Sequence, residues 1–330
     1  LGTTHQEMEV RDCTGQFTIS NRFGDTRLTN LTGNLNLDAR GKVYIEKIKG
    51  NVTASNEYSP LEILEVDGEV VVSNTEGNIR LERITKAVTV NSRGSEVAAH
   101  DLKGGLKIDA SHKNVILSGV ASDIVIESRF ASVSLKDARG NVTIDSDSDR
   151  ISAENVRGAF KFRGRASDVQ VTGADGPLEI RNSLKNVAVS DFSGACVIHN
   201  EFAGIRVATR KLGSGDVVLQ NRNGDVELLL PDGASFAIDA TARYGSVQSG
   251  FAGLEPLKSG ETSTVRSRIG TGGPKFSVET TYGSIRLHPG RGAAADRPVE
   301  REDPVPDRLR MSRLPSAGER NADRSRGAGE

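Results

Sequence analysis

The sequence has no tryptophan, two cysteines, two methionines and four tyrosines in 330 residues. Aromatics make up 4% and hydrophobic residues 36%. A broad core filled with large rings is therefore excluded, and the core must be narrow and built from Val, Ile, Leu and Ala. Two cysteines, Cys13 and Cys196, are too few for a disulfide framework. No stretch is apolar for long enough to cross a membrane as a helix. Neither charge sign dominates, with 43 Lys and Arg against 44 Asp and Glu. That balance removes the electrostatic case for a nucleic-acid partner. The five histidines (His5, His100, His112, His199 and His288) show no ligand spacing. The chain opens on Leu1 rather than Met, so a processed or trimmed product is expected, which leaves room for a signal or anchor upstream.

What the sequence does have is glycine, 36 residues of it, much of it in a fixed rhythm. Gly15, Gly33, Gly50, Gly68, Gly104, Gly140, Gly158, Gly176 and Gly194 share one register, with Lys86 and Ser122 filling the two gaps. The spacing is 18 residues throughout, except for one step of 17 between Gly33 and Gly50. With slots numbered from the glycine, slots 3 and 5 are always apolar, as Val142 and Ile144 are in "GNVTIDSDSDRISAENVR". Slots 12, 14 and 17 are nearly always so, here Ile151, Ala153 and Val156. Alternation at 3 and 5, and again at 12 and 14, is the period of a strand. One such unit cannot bury its own apolar face, but stacked units can.

The fold class that follows is all-β, a single-stranded parallel β-helix (β-solenoid) with ~18-residue coils. The pattern runs to about fourteen coils between roughly residues 7 and 288. Slot 7 is small or Asn in every unit, which predicts a tight corner there with stacked Asn bonded to one another. Residues 1–14 read as a partial N-terminal coil and 15–211 as eleven regular repeats. Residues 212–288 read as irregular C-terminal coils, with a loop, 250–273, inserted between the last two. Residues 289–330 hold nine Arg, eight acids and five of the ten prolines, the composition of a disordered polyampholyte tail. Cys13 and Cys196 both fall on inward slots about ten coils apart. At about 4.8 Å per coil they lie far beyond disulfide reach, and both are expected to be core fillers.

Chemistry is scarce in this pattern. Asp145, Asp147 and Asp149 alternate like the start of a calcium loop, but the required Gly and Glu are Arg150 and Val156. The expectation is no catalytic, cofactor-binding or metal site, and no cofactor. Uniform short coils leave no room for the walled cleft of a carbohydrate-active β-helix. Slot 9 carries Phe23, Tyr58, Phe130 and Phe202, too scattered to form an aromatic ladder for sugars. The loop 250–273, with Glu255, Lys258, Glu261, Arg266 and Arg268, is the place where the chain leaves the stack. It reads either as a recognition loop or as a cap that shields the final strands.

The segments "GDVELLLPDGASFAIDATARYGSV" and "GTGGPKFSVETTYGSIRL", following many "GxVxI…N…GxIxL" units, resemble the bacterial adhesin-type β-strand-repeat proteins, domain of unknown function 4097. The likeness covers roughly residues 15–288. It implies a right-handed β-solenoid in a cell-envelope protein (periplasm or cell surface), with no catalytic residues to carry over. The function expected is thus a non-enzymatic envelope protein, an adhesin or envelope-stress interaction module, whose partner is an unidentified protein or envelope component. The alternatives are a bactofilin-like scaffold polymerising in the cytoplasm and, less favoured, a carbohydrate-active β-helix enzyme.

Overall fold

The computed structural model describes residues 1–290, apart from the side chains of residues 148 and 149. The charged tail expected from residue 289 lies outside them beyond Gly290, where the strand Ile285–Gly290 ends. Among the described residues every element is a strand, and all 30 strands belong to one hydrogen-bonded sheet. The chain winds through about 13 turns at ~18-residue spacing.

Each regular coil has two strand faces, one over slots 3–8 and one over slots 12–17. Val88–Arg93 pairs in parallel with Leu106–Ser111, and Val97–His100 with Val115–Ser118, each residue opposite the one 18 further on. Like slots therefore stack on like slots, and the apolar ones form columns. Val142, Ile144, Ile151, Ala153 and Val156 are each at most 2% exposed. Within its column Val142 lies between Ile124 of the preceding coil and Phe160 of the next.

The glycine rhythm has a steric cause. A Cβ on Gly158 would lie 2.3 Å from the carbonyl oxygen of Gly140, and one on Gly176 2.3 Å from that of Gly158. Coils approach closely at slot 1, and a Cβ added to these glycines would strike the backbone of the preceding coil unless it shifted, as it must where Lys86 and Ser122 take the slot.

The corners differ from the sequence expectation. The left-handed residues sit at slots 9 and 16, not at slot 7: Tyr58 has φ 60° and Glu65 has φ 56°. Slot 7 points inward and is buried, and its amide holds the corner from inside. Asn56 Nδ2 donates to the Ser59 carbonyl at 2.7 Å, and Asn182 Nδ2 to the Lys185 carbonyl at 3.0 Å. The stacked Asn do not bond one another, because the Oδ1 atoms of Asn56, Asn74 and Asn182 accept nothing. Asn21, Asn182 and Asn200 instead donate to backbone carbonyls of the preceding rung, and among the described residues only the side chains of Ser128 and Ser146, at 2.9 Å, bond each other at this slot. The 17-residue step has a simple origin as well. The coil beginning at Gly33 passes from Arg40 to Gly41 without a left-handed residue, so it lacks slot 9.

Two further expectations need correction. Cys196 is buried, but Cys13 is exposed, because it lies on the terminal rung with Leu31 on one side only. The last coils are also stacked out of sequence order. Val217–Arg222 pairs with Lys275–Thr281, and it is this later strand that pairs with Phe236–Arg243. The second face repeats the order: Val226–Pro231 pairs with Ile285–Gly290, which pairs with Val247–Ser249. The loop 250–273 is not a spacer between stacked coils. Its strand Thr262–Ile269 runs antiparallel along the outer edge of Phe236–Arg243, and Leu257–Ser259 pairs with it in turn. Val265 and Leu254 are buried beneath this arm, and Phe251 packs edge-on to Phe236 at 5.4 Å. Left-handed Gly270, Gly272 and Gly273 then turn the chain back into the stack.

Candidate functional site

A repeated backbone makes any site a matter of which residues the columns display. On the first face, side chains at slots 6 and 8 point outward on either side of the inward slot 7. They form a shallow groove along the coils. One stretch, from Ser73 to Asp147, encloses about 630 Å³. A second, from Arg163 to Arg222, encloses about 530 Å³. The uniform coils thus form a shallow depression, not a walled cleft. Its slot-6 wall changes sign along its length. Asp109, Glu127 and Asp145 stack in register, and the column continues as Arg163 and Arg181.

Among the described residues no group of three or more His, Cys, Asp or Glu is placed to hold a metal. Asp145 and Asp147 lie on the outward side of Val142–Val156, and the side chain of Asp149 is outside the described set. The histidines are dispersed: His199 is in the groove, His5 and His112 are at slot 9, and His100 and His288 are on the second face. Burial holds His100 below its usual value, and its Nδ1 lies 2.6 Å from Ser118 Oγ. The Cys196 thiol is pushed up to about 12 by burial, so it is not a nucleophile at neutral pH. Asp225 is held below the usual carboxylate range chiefly by the Ser284 backbone N–H it accepts, and also by Arg286. That carboxylate ties the out-of-order coil to its neighbour, at 2.8 Å to each group. Of the acids and bases on the arm, Arg266 is bound to Asp239 at 3.1 Å, across the strand pair that closes the sheet edge. The arm thus covers that strand edge.

Next to the groove runs the slot-9 corner, and here the scattered aromatics become one feature. Phe23, Tyr58, Phe130, Phe202, Tyr244 and Tyr282 are each more than half exposed. They are the only Phe and Tyr residues exposed to that degree among the described residues, and all six occupy slot 9. Tyr244 and Tyr282 escape a count made along the regular repeats, because their coils lie beyond residue 211. Neighbours in adjacent coils meet: Tyr244 and Tyr282 stack at 4.8 Å with planes 9° apart, and His5 stacks on Phe23 at 5.0 Å. His112 and Phe130 are 5.6 Å apart.

This is the frame of a repetitive β-solenoid that displays its chemistry in columns. The chain belongs to the Toastrack family, DUF4097, a domain of unknown function whose model matches residues 13–288. No curated protein and no solved structure matches the chain.

Proposed function

We propose that the chain is a non-enzymatic interaction module of the bacterial cell envelope, of the adhesin or envelope-stress type, which engages its partner along a side rather than at an end. The observation that carries this reading is the line of exposed aromatics at a left-handed corner. Bulky residues are rare at positive φ and cost roughly 1–2 kcal/mol each there. A chain with 4% aromatics has no stability reason to place six of them on an exposed, strained edge. The polymerising alternative draws less support, because end-to-end growth needs a free terminal strand. The antiparallel arm occupies the edge of Phe236–Arg243.

The test is fractionation of native cells together with electron microscopy of the purified protein. Recovery in the envelope fraction, with unpolymerised protein on the grid, is expected. Cytosolic protein that assembles into filaments would overturn the reading in favour of the scaffold.

A further inference from the structure

The fold contains its own control for the slot-9 edge. Each regular coil has two left-handed corners, and backbone geometry makes the same demand at both. At slot 16 the column from Asp12 to Asp191 holds only Asp, Asn, Gly, Lys, Glu and Arg. Those side chains satisfy one another from rung to rung. Asn30 donates to Asp12, Arg83 bonds Glu65 at 3.0 Å, and Asn155 donates to Asp137 at 2.9 Å. Slot 9 also takes small or polar residues in five coils (Glu76, Gly94, Ser148, Ala166, Asn223), but elsewhere it holds Phe, Tyr, Leu184 and His. The corner conformation therefore does not select the rings, and neither does burial.

The surroundings indicate what the rings face. On one side, slot 10 is small in most coils (Gly24, Ser59, Gly77, Ala131, Ala203), so the rings stand above it. On the other, slot 8 carries seven arginines and three acids between Arg22 and Arg243. Arg22, Arg129 and Arg243 directly precede exposed rings. Of this arginine column, among the described residues, Arg40 is tied to Glu57 at 3.1 Å and Arg243 to Glu279 at 3.7 Å. The edge thus carries exposed rings at intervals along one line, separated by small or polar rungs, beside a net cationic row. Phe23, Phe130, Tyr244 and Tyr282 already pack a ring against a ring of an adjacent coil. In those four rings one face is already taken, which disfavours a glycan, since a glycan stacks on open faces. Exposed rings beside arginines suit the boundary layer of a bilayer, where Tyr and Phe settle among headgroups and Arg forks onto phosphate.

We propose that the slot-9 edge docks on a lipid bilayer surface carrying anionic headgroups, with the rings entering the interface and the slot-8 arginines meeting the phosphates. This inference rests on the envelope reading and specifies its partner. The experiment is sedimentation of the intact chain with vesicles of phosphatidylcholine and phosphatidylglycerol in equal parts. Parent protein is compared with a variant combining Tyr58→Asn, Phe130→Asn, Phe202→Asn and Tyr244→Asn. Asn is well tolerated at positive φ, so the coils should persist, and circular dichroism checks this. The variant is expected to bind at least about tenfold more weakly, because interfacial affinity scales with the apolar area inserted. The parent should release at high salt and should ignore vesicles of phosphatidylcholine alone.

A second measurement needs no variant. The chain has no Trp, and three of its four tyrosines, Tyr58, Tyr244 and Tyr282, lie on this edge. Brominated lipid in the mixed vesicles should therefore quench most of the tyrosine emission. Failure of the parent to sediment, equal binding by the variant, equal binding to neutral vesicles, or unquenched emission would each overturn the proposal. So would ring substitutions that abolish binding to cell-wall polysaccharide, or self-association, while vesicles are ignored. An envelope-located protein that fails on vesicles refutes the lipid partner alone. A cytosolic filament refutes the envelope reading whatever the vesicles do.

Discussion

Replacing Ile144 by Asp tests the stacked core at one point, and the expected cost can be worked through. Ile144 is 1% exposed, with Ile126 and Phe162 directly opposite it in the coils on either side. Losing its burial removes roughly 2 kcal/mol. An Asp placed there finds only apolar side chains and stays protonated in the folded state, its pKa driven up by desolvation. In the unfolded chain it ionises near a pH of about 3.9. Keeping it neutral at about pH 7 therefore costs a further ~4 kcal/mol, at roughly 1.4 kcal/mol per pH unit. The sign follows directly. A raised folded-state pKa means the penalty is smallest below about pH 4 and grows as the pH rises. Total destabilisation should be about 6 kcal/mol at neutral pH and about 2 kcal/mol near a pH of about 4. Solenoid coils contact only their neighbours, so melting should separate into stages on the two sides of the altered coil. The assay is urea unfolding of parent and variant across that pH range. A variant as stable as the parent at neutral pH, or a penalty that does not change with pH, would refute a dry apolar interior at this column.

Other expectations follow from the close approaches and the ends. Gly158→Ala puts a methyl 2.3 Å from the Gly140 carbonyl oxygen and should cost about 1–3 kcal/mol in a thermal or urea melt, whereas an unchanged melt would contradict the steric reading of the glycine column. Replacing residues 252–270 with a short Gly/Ser linker uncovers the edge of Phe236–Arg243 and should yield aggregates or filaments on size-exclusion chromatography; a clean monomer would argue against the cap. In native protein an alkylating reagent at neutral pH should label Cys13 and spare Cys196 until denaturant is added, and mass spectrometry of the two peptides decides it.

The fold was legible because its signal is redundant. Slots 3, 5, 12 and 14 repeat the same demand in every coil, so a few exceptions cannot hide the period. Three features escaped for physical reasons. The order of the last coils is invisible because "KFSVETTYGSIRL" and "SFAIDATARYGSVQS" carry the same inward pattern, and either fits on Val217–Arg222. What selects the order is the arm, whose pairing along Phe236–Arg243 makes that coil outermost. Cys13 has a core slot but no coil on its other side, and a periodic pattern does not register an end. The corner was misplaced because Asn56 and Asn74 mark it chemically, while the strained residues are Tyr58 and Glu76, whose types do not suggest positive φ. The same misplacement concealed the candidate site. An edge of Phe and Tyr looks scattered in sequence until the corner angle shows that each ring occupies a position where a smaller polar residue would serve the fold better.

If the slot-9 rings serve recognition and not stability, the fold should tolerate their loss. Tyr58 and Phe202 test this most cleanly, because neither is part of a stacked ring pair and both have φ 60°. We would measure the melting temperature of the double variant Tyr58→Asn and Phe202→Asn against the parent by differential scanning calorimetry. Asn at both corners relieves backbone strain and removes side chains that are 66% and 53% exposed. The prediction is an equal or higher melting temperature. A fall of several degrees would show that the rings hold the coils together, and would contradict the assignment of this edge to a partner.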